Sequence, residues 1–184
     1  MKRAFTPLAC ILAPLTAHAL DLTPERAWRD LEGCKIPIVR FADEGKKVNF
    51  QPPVKWNVSG GGTSLNFYPP DCPDAVMHFR VITRRPPEPG LKEDLEKWCR
   101  GMLPADAADP TLEGETTNPF TIGLLPCQDY TYSYSALGRR FCTSVSVVDW
   151  SEKQRFAVVV TARLTDFKAI HETAMRSMFS WSKQ

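Results

Sequence analysis

The chain reads as an α+β protein: a single domain with a mainly antiparallel sheet and helices packed on both faces, an α/β/α sandwich. Three observations predict it. Short segments that alternate apolar and polar residues are joined by tight turns, as in consecutive hairpins. Stretches of helical period lie before, between and after them. One run, RFAVVVTA from Arg155 to Ala162, is apolar on both faces and needs cover on both.

The elements follow in order. Thr23-Pro24-Glu25 opens a predicted helix over 23–32: Thr23 caps it, Pro24 suits its first turn, and Gly33 ends it. Lys47–Gln51 begins a set of short strands. Val54–Val58 alternates, Ser59-Gly60-Gly61-Gly62-Thr63 turns, and Ser64–Tyr68 returns, which predicts a hairpin. In the strand Ala75–Thr83 (AVMHFRVIT), Val76, His78, Arg80 and Ile82 face one way and Met77, Phe79 and Val81 the other. A stiff connector follows from Arg84 to Gly90. Over 91–103 Leu91, Leu95, Trp98 and Met102 share one helical face. The stretch from Pro104 reads as a long polar loop with one short strand near Thr111–Glu115. Gln128–Ser135 alternates strictly, with Tyr130, Tyr132 and Tyr134 on one face. Leu137-Gly138 turns the chain into a strand carrying Phe141, Thr143, Val145 and Val147, and Asp149–Lys153 turns it again. Asp166 caps a last helix, where Phe167, Ile170, Ala174, Met178 and Trp181 recur at helical spacing.

Residues 1–19 have the layout of a secretory signal peptide. Lys2 and Arg3 precede an apolar run from Phe5 to Leu15, and Ala17-His18-Ala19 is a small-x-small cleavage triplet. The run is too short to span a bilayer, which takes about 20 residues. Pro7 and Pro14 argue against a buried helix. A lipoprotein leader cut before Cys10 is the rival reading, but in Pro7-Leu8-Ala9-Cys10 the leucine stands one place too late. The expected product is residues 20–184, periplasmic or secreted. The formal net charge of +2 falls to zero when Lys2 and Arg3 leave. A neutral body has no global field to attract nucleic acid or an anionic membrane.

Five cysteines remain: Cys34, Cys72, Cys99, Cys127 and Cys142. An oxidising compartment predicts two disulfide bridges and one leftover thiol, with the pairing open. No C-x-x-C spacing occurs, so neither a zinc ribbon nor a thioredoxin-like site is indicated.

The order of elements resembles the PsbP family of photosystem accessory proteins and the bacterial DcrB-like proteins. The resemblance rests on VKWNV with its hairpin, AVMHFRVIT, the helix LKEDLEKWCRGML, the strands ending in RFAVVVTA, and the closing DFKAIHETAMRSMFSW. It implies an extracytoplasmic, non-catalytic domain that binds or assembles other proteins, and it brings no functional residues. The five cysteines, and the lack of a lipid-attachment cysteine in the usual place, depart from it.

Motifs for chemistry are sparse. His78 and His171 are the histidines of the expected product, and no spacing joins either to Cys99 or Cys142 as a nucleophile pair. Ser59–Ser64 lacks the Gly-Lys-Ser/Thr ending of a phosphate loop and joins two strands. There is no G-x-S-x-G elbow. Asp71 and Asp74 are too few oxygens for calcium, which takes six to eight. Asn57-Val58-Ser59 is a glycosylation triplet, relevant only in a host that uses it. The candidate binding surface is the stripe Tyr130, Tyr132 and Tyr134, core if a helix covers it and a binding face if open. It is joined by the basic pairs Arg139-Arg140 and Arg84-Arg85.

The function expected is a non-enzymatic, protein-binding or assembly-accessory domain with a protein partner in the cell envelope, or one that neutralises a toxin. No cofactor is expected. A small apolar-ligand binder is the alternative, marked by a closed cavity of about 300 Å³ or more. A Cys/His-dependent enzyme comes third.

Overall fold

The computed structural model describes residues 20–84, 94–122 and 125–183. The expected leader, most of the proline-rich connector and the start of the helix predicted from Leu91 lie outside them. Two antiparallel sheets form. The smaller has the strand order β1-β2-β3-β11, from β1 (Asp21–Leu31), β2 (Cys34–Asp43), β3 (Lys46–Phe50) and β11 (Ser182–Lys183). The larger runs β4-β5-β6-β10-β9-β8-β7. Its strands are β4 (Asn57–Gly61), β5 (Ser64–Tyr68), β6 (Val76–Thr83), β7 (Ala108–Ile122), β8 (Leu125–Ala136), β9 (Arg139–Ser151) and β10 (Gln154–Arg163). Helices α1 (Leu95–Arg100) and α2 (Phe167–Met178) are the two helices among the described residues.

The α/β/α sandwich is therefore overturned: the protein is mostly β, with a second sheet where a helical layer was expected. The segment 23–32 decides this. It pairs with β2 as an edge strand instead of forming a helix. Pro24, read as a helix opener, sits where the β1–β2 register shifts between Asp21 and Glu25, a place where a missing N–H costs nothing. Gly33 ends no helix. It is the second residue of a two-residue hairpin turn, with φ +52° at Glu32 and +82° at Gly33. The stretch read as a polar loop from Pro104 contains β7, a 15-residue edge strand on β8.

The main core lies between the sheets. Phe79 stands at its centre, with edge-on ring neighbours Phe67 at 4.8 Å, Phe50 at 5.1 Å, Phe156 at 5.3 Å and Trp181 at 5.5 Å. Ala174, Met175 and Met178 of α2 close one flank of this core. The predicted alternation of β6 holds: Met77, Phe79 and Val81 are buried in the core, and Arg80 faces out on the opposite side. That opposite side of the large sheet carries a smaller apolar cluster under α1, built from Cys99, Tyr130, Tyr132, Val145, Val147, Ala157 and Val159.

Candidate binding surface

Helix α1 is six residues long, too short to persist by propensity alone, so local contacts and packing hold it. The Asp94 carboxylate accepts from the Lys97 N–H at 3.0 Å as its cap. Arg100 donates to Glu96 one turn earlier at 3.1 Å. Leu95, Trp98, Met102 and Leu103 pack with Cys99 on the tyrosine stripe.

Tyr130, Tyr132 and Tyr134 are all buried, so the stripe is packed core and not an open binding face. The Tyr132 hydroxyl donates to the Glu96 carbonyl at 3.1 Å, anchoring the helix to the sheet. Burial, aided by Glu96, pushes its ionisation well above the ordinary tyrosine range. Burial and a hydrogen bond with Glu115 push Tyr130 up to about 12. Tyr134 shares a hydrogen bond with Thr143 at 3.0 Å.

Where α1 stops short of β6, a groove of about 590 Å³ opens, lined by Arg80, Ile82, Asp94, Lys97, Trp98 and Met102, with Gly101 at its edge. Ile82, Trp98 and Met102 supply an apolar floor, while Arg80, Lys97 and Asp94 put two positive charges and one negative on the rim. The floor is held from below. The buried Arg155 guanidinium lies 4.9 Å from the centre of the Trp98 ring and donates to Asp149 at 2.9 Å. Arg84 meets the other oxygen of Asp149 at 3.3 Å. Sequence periodicity had placed Arg80 with Ile82, and Trp98 with Met102, on separate elements. The groove exists only because α1 folds back beside β6.

The two predicted bridges are absent among the described residues: Cys34 is exposed, Cys72 half-buried, and Cys99, Cys127 and Cys142 buried. The topology explains part of this. Cys99 packs under α1 on one face of the large sheet, while Cys127 packs in the inter-sheet core. Cys142 lies opposite Ser133, six residues along β8 from Cys127, a separation of about 20 Å. Three of the thiols are held protonated. Burial pushes Cys142 up to about 11 and Cys127 further, and burial with the nearby Asp166 and Asp74 raises Cys72. The histidines are occupied structurally. His78 shares a hydrogen bond with the Ser64 hydroxyl at 2.8 Å, and His171 stacks on Phe167 at 5.2 Å. Among the described residues no group of three or more His, Cys, Asp or Glu side chains is placed to hold a metal ion.

The basic pair Arg139-Arg140 is engaged close to home. Arg139 and Arg163 both pair with Asp74, and Arg140 donates to the Ser133 hydroxyl at 3.4 Å. Asp74 thus clamps the loop before β6 to the ends of β9 and β10, which is more than the turn role read for it. Arg85 lies outside the described residues. Among the described residues no helix is long and apolar enough to cross a membrane.

The chain matches no family model and no curated protein. Solved structures similar to it include LpqN, described as involved in cell envelope biogenesis of Mycobacterium tuberculosis. That match is 12% identical, covers 89% of this chain and 91% of that one, and has a TM-score of 0.48. At that level the likeness carries no inference about function.

Proposed function

We propose that the chain is a non-enzymatic binding domain of the cell envelope that holds an extended segment of another protein in the groove between α1 and β6. The groove's composition carries this reading. An apolar floor of Ile82, Trp98 and Met102 accepts one or two apolar side chains, and a rim with Arg80 and Lys97 against Asp94 favours flanking acidic residues. An apolar small molecule would call for a closed cavity; this groove is open and its rim is charged. The expected leader at residues 1–19 supports the extracytoplasmic setting, and the raised thiols and occupied histidines agree with a role that needs no nucleophile. The PsbP/DcrB-like resemblance points the same way, towards assembly or accessory binding; toxin neutralisation would use the same kind of surface.

Affinity capture from the native envelope with the wild type and with the double variant Arg80→Glu, Lys97→Glu tests the reading. A partner recovered by the wild type and lost by the variant, with unchanged circular dichroism, is the expected result. Equal recovery by both, or no partner across several growth conditions, would overturn it.

A further inference from the structure

The β1–β2 hairpin projects from the small sheet. Strand β3 pairs with β2 only from Val39 to Asp43, so Cys34–Ile38 pair with β1 alone. A two-stranded ribbon in water is marginal by itself. This one also leaves Trp28 64% and Leu31 50% exposed.

The edge of β1 is unprotected in a specific way. The two-residue turn at Glu32-Gly33 makes Leu31↔Cys34 a hydrogen-bonded pair, and bonding alternates from there along the ladder. Asp30, Trp28 and Arg26 then point their N–H and C=O groups away from β2, to the open edge. Pro37 opposite Trp28 fits this phase, since it has no N–H to give the ladder. Arg26, Trp28 and Asp30 form no backbone hydrogen bond outside the ladder among the described residues. The other long edge, β7, is blunted by Pro110 and three register shifts, whereas β1 beyond Glu25 has no such device.

The charges on that edge are self-complementary. If a second copy pairs antiparallel with Trp28 opposite Trp28, Arg26 falls opposite Asp30 of the other copy, twice, on the same face as the indoles. The Asp30 Oδ1 accepts from Gly33 N at 3.0 Å, which leaves Oδ2 for the arginine. We propose that the chain self-associates through this edge: two β1 strands join about a two-fold axis at Trp28, with three hydrogen-bonded residue pairs and two reciprocal Arg26–Asp30 pairs. This surface is separate from the groove and does not depend on it.

Two charge variants of the full chain, expressed with its own leader region, test it. Arg26→Asp places acid opposite acid in a homodimer, and Asp30→Arg places base opposite base. An equimolar mixture restores two opposite-charge pairs. Sedimentation velocity at up to about 100 µM should show a wild-type dimer, at least about tenfold weaker association for each single variant, and recovery on mixing. Trp28→Lys, which puts like charges on the axis without touching Asp30 or the turn, should also be monomeric. Circular dichroism and urea midpoints establish that each variant is folded. A wild type that stays monomeric, or single variants that dimerise as well as the wild type, or a mixture that does not recover, would overturn the proposal.

Discussion

The Arg155 guanidinium lies 4.9 Å from the centre of the Trp98 ring, and this stacking ties α1 to the centre of the large sheet. Arg155 is 4% exposed, and Asp149 and Trp98 share its charge. Replacing it with methionine keeps the stem but loses both contacts. Asp149 is half-exposed and keeps Arg84, so the cost is expected at about 1–2 kcal/mol and not the 3–5 of a stranded buried charge. Trp98→Ala should cost about 2 kcal/mol and abolish groove binding. Urea unfolding and partner capture measure the two effects; an Arg155→Met variant as stable as the wild type would show that the stacking contributes nothing.

Asp43 is a second lock, between the sheets. It is 2% exposed, accepts from the Trp150 indole N–H at 3.1 Å, and pairs with Lys183 at 2.5 Å. It joins β2 to β9 and to the C-terminal strand. Asp43→Ala leaves the half-buried Trp150 indole N–H without its acceptor and Lys183 without its anion, for an expected loss of about 1–3 kcal/mol. Lys183→Met should cost less, because Lys183 is partly hydrated. Equal urea midpoints for the two variants would contradict this ordering.

The number of unbridged cysteines can be counted. Alkylation of the denatured, unreduced product should label all five cysteines; labelling of one only would restore the two bridges anticipated from the compartment. On the native protein at pH about 8, Cys34 should react first because it is exposed, and Cys127 and Cys142 last because burial keeps them protonated. Peptide mapping after timed quenching gives the order.

Acid should weaken the fold through its two histidines. His78 is held below its ordinary 6.5 by burial and then by Arg80, and His171 by burial against the opposing pull of Asp129 and Glu172. The folded chain prefers both rings neutral, so the unfolded chain takes the protons first. Their contribution is complete above pH about 6.5 and is lost as pH falls through the lower folded-state values. The urea midpoint should be lower at pH about 5 than at about 7.5, and the double variant His78→Gln, His171→Gln should narrow that difference. An unchanged difference would assign the acid sensitivity elsewhere.

What could be read from the sequence follows burial closely. The strands β5, β6, β8, β9 and β10 and the helix α2 each bury part of their surface, so apolar residues repeat with a period that names the element. Besides the hairpin expected from Val54, whose first strand lies at Asn57–Gly61 with Ser59 to Gly61 paired to β5 and Val54 left exposed, two segments were misread, and both are edge strands. In β7 the described side chains are almost all exposed, and in β1 Leu22 is the one fully buried residue, so neither carries a period-two signal. In β1 the pattern misled outright: Ala27, Trp28 and Leu31 fall at helical spacing, and Thr23-Pro24-Glu25 copies a helix start. The turn chemistry held the better clue. Glu32-Gly33 and Glu44-Gly45 have the same paired positive φ as Leu137-Gly138, whose sequence predicts a hairpin turn.

The position of the central apolar strand and the face on which each tyrosine lies were determined by the sequence alone, because each depends on neighbours two to four residues apart. The tertiary structure decided the rest: a second sheet in place of a helical layer, thiols on opposite faces of a sheet, and a groove made by Arg80, Ile82, Lys97 and Trp98. These depend on which distant segments pair through backbone hydrogen bonds, and an edge strand wins or loses that competition on contacts its own residues do not encode.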